Sequence, residues 1–153
     1  MTLEFLEKKE KLRKLIDDYA VLGDDKKITE QMELFTPNIT YKAFMGGILV
    51  SEVSGKTNME KEFIGHASLV KTYFTLNGQH EVQIDNDFAS GVSFAQIKMI
   101  REIDGKNVLT DYSVRYDDKY VLQNDKWLIN YREGHFVIIE ERLTYKKKKK
   151  SES

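Results

Sequence analysis

The chain has 153 residues, 41% of them hydrophobic and 32% charged, and a net charge of −1. That length suits one domain with a proper core, and no apolar run nears the roughly 18 residues of a membrane span. Zero Cys removes disulfides, thiolate zinc sites and cysteine nucleophiles, and suits a cytoplasmic protein.

The charge is split along the chain. Five lysines at 146–150 and one glutamate sit in the terminal segment, so the first 145 residues carry 19 basic and 24 acidic groups, or −5. We therefore expect one domain over residues 1–145 and a self-repelling, disordered Lys-rich tail over 146–153. An acidic body with no basic face speaks against nucleic acid and membrane surfaces as partners. The start, MTLEFLEKKEKL, alternates acid and base and does not read as a signal peptide.

Leu12, Leu15, Ile16, Tyr19 and Ala20 form one stripe of an amphipathic helix. Gly23 is expected to stop it. Ile28, Met32 and Phe35 repeat the spacing over a second, shorter helix that must end before Pro37. The corner between them reads G-D-D. One of Asp24 and Asp25 can cap the second helix by accepting from its free N–H groups, while the other can point inward.

From Ile39 the pattern becomes extended. ITYKAFM and ILVSEV flank Gly46-Gly47, a two-residue turn that suits a hairpin. TNMEKEFIGHASLVKTYFT has Met59, Phe63, Leu69, Val70 and Tyr73 near helical intervals and predicts one or two short helices. Three long β-type stretches follow. QHEVQID runs on through SGVSFAQIKMIREI, then come NVLTDYSVRYDDKYVL and KWLINYREGHFVIIEERL, with turns at Asp104-Gly105 and Gln123–Asp125. Helices segregated from an antiparallel meander make an α+β fold. Val92 and Phe94 face one way and Ala95, Ile97 and Met99 the other, so both faces need cover. Helices can cover one face, and a partner subunit or a curved sheet enclosing a cavity the other.

Taken in order, these segments resemble the nuclear transport factor 2-like, SnoaL-like domain. The landmarks are D-Y-A-V-L-G-D, M-E-L-F-T-P-N, V-S-G-K, G-Q-H-E-V, R-Y-D-D-K-Y and N-D-K-W-L-I-N-Y-R, spanning roughly residues 10–140. The resemblance implies a cone, in which a strongly curved antiparallel sheet is capped by N-terminal helices. It does not fix a function, because that cone hosts cyclases, dehydratases, isomerases, hydrolases and non-catalytic modules. Within it, the Tyr-x-x-x-x-Asp spacing from Tyr19 makes Asp24 the cavity carboxylate, with Asp25 left as the cap. His80, in N-G-Q-H-E-V, matches the histidine that pairs with that Asp in the scytalone-dehydratase-like enzymes. Their second catalytic His would fall near Met99, so that role is missing here.

An Asp–His pair needs no family to explain it. The carboxylate fixes the tautomer of the imidazole and raises its basicity. Enclosed in an apolar cone, the His can take a proton from a carbon beside a carbonyl or activate a water. The Asp is itself the base if burial lifts its pKa. We expect Tyr19, Met45, Phe63, Tyr112, Tyr116 and Tyr131 to line a substrate cavity or else to be plain core. Val121, Trp127 and Ile129 read as core. His66 reads as a helix-boundary or surface residue, and His135 lies near a pocket rim or a dimer sheet. Histidines at 66, 80 and 135 lack a metal-binding spacing, and no phosphate loop, dinucleotide fingerprint or Gly-x-Ser-x-Gly elbow occurs. The expectation is a homodimer whose subunits each bind a small molecule and run acid/base chemistry without metal or cofactor. A non-catalytic ligand-binding or interaction module on the same cone is the competing expectation.

Overall fold

The structure, a computed structural model, describes residues 2–144; the lysine run lies outside the described residues. Three helices precede or interrupt six strands. In chain order these are α1 (Leu3–Asp24), α2 (Ile28–Met32), β1 (Phe35–Met45), β2 (Ile48–Ser54), α3 (Lys56–Ser68), β3 (Thr72–Asp85), β4 (Phe88–Ile103), β5 (Lys106–Gln123) and β6 (Lys126–Leu143). Among the described residues the strands form one sheet in the order β2-β1-β6-β5-β4-β3. Every seam is antiparallel except β1–β6, which is parallel, so the sheet is mixed. The helices lie on its inner face.

Helix α1 opens on Thr2, whose side chain accepts from the Phe5 N–H at 3.1 Å, the usual way to satisfy a free helix N–H. Its stripe buries Leu12, Leu15 and Ile16 against Phe35, Ile39, Met59, Trp127 and Ile129 in one core. Gly23 does not stop this helix, which runs through it to Asp24. That position is glycine for closeness: an added Cβ would stand 2.8 Å from Gln31 Nε2. Asp25 is the C-cap of α1, not the N-cap of α2; Lys27 holds that place with no side-chain cap bond. Phe35 belongs to β1 rather than to the second helix, because the five residues of α2 already bring the chain to the sheet.

The Gly46-Gly47 hairpin forms as its sequence predicts, with both residues at positive φ (58° and 82°), which glycine adopts at no steric cost. The first long β-type stretch is two strands, not one, turning at Asn86 and Asp87 between β3 and β4. Bulges interrupt β1–β2 at Ala43/Phe44, β3–β4 between Asn77 and His80, and β5–β6 at Ser113/Val114 and Lys119/Tyr120. Each bulge bends its strand and adds twist, and together they curl the sheet around α1. Arg13 pins the helix there by donating to Gly78 O at 2.9 Å. Asn77 donates back to Ile16 O at 3.2 Å and Asp17 Oδ1 at 2.9 Å.

Candidate functional site

The curl leaves a cavity of about 310 Å³ between the inner face of the sheet and the helices. Its walls are mostly aromatic and aliphatic: Tyr19 and Ile16 from α1, Tyr41 and Met45 from β1, Phe63 from α3, Ile97 and Met99 from β4, Tyr112 and Tyr116 from β5, and Phe136 from β6. Six of the eight residues singled out in the sequence lie on this wall, namely Tyr19, Asp24, Met45, Phe63, Tyr112 and Tyr116. Tyr19 stands edge-on to Phe35, Phe63 and Tyr116, with ring centroids 5.8, 6.4 and 6.3 Å away, the packing that aromatic quadrupoles favour. Burial pushes the phenols of Tyr19, Tyr41 and Tyr116 above their ordinary value, so all three stay protonated donors at neutral pH.

Asp24 ends α1 at the cavity and is held by one residue of β3. The Thr75 N–H donates to Asp24 Oδ2 at 2.7 Å and the Thr75 hydroxyl to Oδ1 at 2.7 Å. The expected bond to His80 is not made. His80 is off the cavity wall and its Nε2 meets the Tyr120 hydroxyl at 3.1 Å. The reason is distance along the strand. The residue of β3 opposite Asp24 is Thr75, and His80 lies five residues further, about 16 Å of extended chain. Tyr131 also points away, on the outer sheet face, where its hydroxyl donates to Glu133. The ammonium groups of Lys42 and Lys119 lie 5.9 and 5.5 Å from its ring.

His80 instead ends a buried polar chain. Arg132 and Asp118 are directly opposed across β5 and β6, with side chains 1% and 0% exposed. Arg132 Nε donates to Asp118 Oδ1 at 2.8 Å and an Nη to Oδ2 at 3.2 Å, a two-point pairing. The Tyr120 hydroxyl donates to Asp118 Oδ2 at 2.9 Å and meets His80. Burial depresses the His80 imidazole to about 4, so it is neutral at pH 7. The guanidinium lies 4.2 Å from the ring centre of Tyr19 and 3.8 Å from that of Tyr116, where the ring quadrupoles attract the cation. Arg132 thus carries the buried chain to the cavity wall. Its Nη1, like Gln31 Oε1, is buried with no hydrogen-bond partner among the described residues.

Sequence reading missed several wall residues: Thr75, Tyr73, His66, Gln31 and Arg132. His66 is the one histidine on the wall, in the last turn of α3, and its Nδ1 shares a hydrogen bond with the Tyr73 hydroxyl. Burial lowers the His66 pKa and raises that of Tyr73. Only alternation could have flagged Tyr73 and Thr75, since with Asn77 they share the inward side of β3. His135 belongs to neither centre. It stacks on Phe44 with centroids 4.8 Å apart and gathers with Asp117 and Glu133, their donor atoms within 4.8 Å of one another. There Arg115 already pairs with Asp117 at 3.3 Å.

The profile of the SnoaL-like domain family matches residues 4–133. No protein of curated function matches the chain. Among solved structures, a candidate scytalone dehydratase from Novosphingobium aromaticivorans superposes with a TM-score of 0.79 at 15% identity, covering 92% of this chain and 91% of that one. A hexachlorocyclohexane dehydrochlorinase superposes with a TM-score of 0.76 at 10% identity, covering 92% of each chain. An NTF2-like protein with a cystatin-like fold, also from N. aromaticivorans, gives 0.68 at 19% identity, covering 88% of this chain and 85% of that one. At such identities the likeness speaks for the fold alone.

Proposed function

The chain belongs to the SnoaL-like domain family, and from that premise we propose that it binds a small, largely apolar carbonyl or hydroxyl compound and moves a proton on it without a cofactor. The observation that carries this reading is Asp24, a carboxylate fixed by two 2.7 Å bonds from Thr75 on the wall of an apolar cavity. Each bonded oxygen keeps a second lone pair. The Thr75 bonds hold the group in one orientation, which is what a positioned base needs. The tyrosine hydroxyls across the cavity orient the substrate oxygen. His80 has no part in this reading, because it does not reach the cavity. A second reading also has support: Asp24 lacks an imidazole partner, which suits a module that holds a ligand without turning it over. We further propose that two copies pair through the outer sheet face, where Phe74, Leu76 and Phe94 are exposed.

A bicyclic ketone with acidic α-hydrogens, 2-tetralone, tests the reading. In deuterated buffer the wild type is expected to speed loss of the α-proton NMR signal, and Asp24→Asn to lose about a hundredfold or more of that acceleration. Binding of 2-tetralone with no acceleration over buffer would leave the ligand-holding module.

A further inference from the structure

We propose that Tyr73 and His66 form a proton relay between the cavity and bulk solvent, with Tyr73 as the acid that faces the ligand and His66 as the group that reloads it. This inference rests on the reading of the cavity as a proton-transfer site.

The placement is specific. Tyr73 lies two residues before Thr75 on the same side of β3, and Thr75 holds Asp24. Inward residues two apart along a strand are about 7 Å apart, so the Tyr73 hydroxyl and the Asp24 carboxylate share one stretch of wall. An acid and a base are thereby set side by side. On its other side the Tyr73 hydroxyl bonds His66 Nδ1, and the two rings lie nearly parallel, at 26° with centroids 5.8 Å apart. The His66 residue is exposed while Tyr73 is half-buried, so the imidazole can exchange protons with water. The charges that act on His66 are Arg101 on β4, which lowers its pKa, and Glu62 on α3, which raises it.

The chemistry balances. As Asp24 takes a proton from the carbon beside a ligand carbonyl, the C–H pair becomes the new C=C bond and the carbonyl oxygen takes the Tyr73 proton. The phenolate oxygen takes the proton from His66 Nδ1, and Nε2 takes one from water, leaving a hydroxide that is neutralised by the proton Asp24 passes on to solvent. Burial makes the Tyr73 phenol a weaker acid, and the hydrogen bond from His66 Nδ1 opposes this by stabilising the phenolate as it forms. The lowered imidazole is neutral at pH 7, with one nitrogen free to accept. The relay requires one tautomer, with the proton on Nδ1 donating to Tyr73, because only then is the phenol proton free to point into the cavity.

Two readouts on the full chain test it. In the 2-tetralone exchange assay, Tyr73→Phe and His66→Gln are each expected to slow exchange by about tenfold or more. Slowing by Asp24→Asn but not by either of these variants would overturn the relay and keep Asp24 as the base. If the wild type does not speed exchange at all, the proton-transfer reading falls, and imidazole ¹⁵N shifts decide the pair by themselves. Protonation of His66 at Nδ1 in the wild type, moving to Nε2 in Tyr73→Phe, supports the pairing. Protonation at Nε2 in the wild type, or no change in Tyr73→Phe, overturns it.

Discussion

His80 shows how burial beside the Arg132–Asp118 pair sets the titration of a neighbouring residue. Removing Arg132 and Asp118 from water costs several kcal/mol for each ion, and the cost is offset only because the pairing is two-pointed and Tyr120 adds a third bond. His80 sits at the end of that chain with its pKa depressed from 6.5 to about 4. The unfolded chain therefore binds a proton between those two values that the folded chain refuses. Stability is fully present above about pH 6.5 and falls as the pH drops towards 4. Allowing for partial exposure of the ring, we expect His80 to account for about 1 kcal/mol of the loss between pH 7 and pH 5. Urea unfolding at both pH values checks this. His80→Gln keeps a partner for Tyr120 and should flatten the decline by that amount, whereas an unchanged slope would exclude His80 as its source. None of this was legible in G-Q-H-E-V read alone, because the depression comes from burial of the ring, which the fold brings about, and it outweighs the opposing pull of the Asp118 carboxylate. Asp118 did leave a trace, in step with the inward Val114 and Tyr116 of β5, where a charge needs a partner. Arg132 left none, because the bulge opposite Lys119/Tyr120 shifts β6 out of the alternation of Trp127 and Ile129 and turns Arg132 inward in place of Tyr131.

At the scale of elements, the hairpin at Gly46-Gly47, the turns at Asp104-Gly105 and Gln123–Asp125 and the stripe of α1 were all readable, since each depends on contiguous residues. The ends of α1 and β3 were not. Gly23 was read as a helix stop, yet its reason lies across the corner in Gln31, which is buried and donates to Tyr19 O at 2.9 Å. The two effects oppose each other. Alanine in a helix interior is favoured over glycine by about 1 kcal/mol, but here its Cβ would stand 2.8 Å from Gln31 Nε2 and displace a bonded, buried amide, at a cost of about 1–3 kcal/mol. Gly23→Ala is expected to destabilise the wild type and to stabilise a Gln31→Ala background. The coupling, read from four unfolding midpoints, should be about 1 kcal/mol or more. Additive effects would mean that Gly23 is there for another reason. The start of β3 was hidden because Tyr73 fits both the helical intervals of the preceding segment and the alternation of the strand. That ambiguity also hid Tyr73 and Thr75 as cavity residues.

At the scale of the whole molecule, the curled sheet has two faces with different needs. The inner face is covered by the helices, and the outer face is open. Strand register puts Phe74, Leu76, Phe94, Gln96, Lys98, Ser113, Arg115 and Ile138 on that outer side. Phe74 is 56% exposed, Leu76 61% and Phe94 40%, which leaves an apolar strip along β3 and β4 bordered by charges, with Ile138 set apart on β6 beyond Gln96 and Ser113. Such a strip on a small domain marks a contact surface. Its charges suit a second copy, since Lys98 and Arg115 lie among Asp111 and Glu140. A two-fold axis through the strip would bring basic groups of one subunit against acidic groups of the other. A stable pair needs about 800 Å² buried on each partner, and long strands of 16 and 18 residues offer a surface of that extent. Sedimentation equilibrium at tens of micromolar should give about twice the 17.9 kDa chain mass. Leu76→Lys with Phe94→Lys should give the monomer, because four cations would face one another across the axis. Both side chains are outward, Leu76 61% and Phe94 40% exposed, so the double variant should unfold near the wild-type midpoint at matched subunit concentration once dimer linkage is allowed for. A wild type that sediments as a monomer, or a double variant that remains a dimer, would remove this face as the interface.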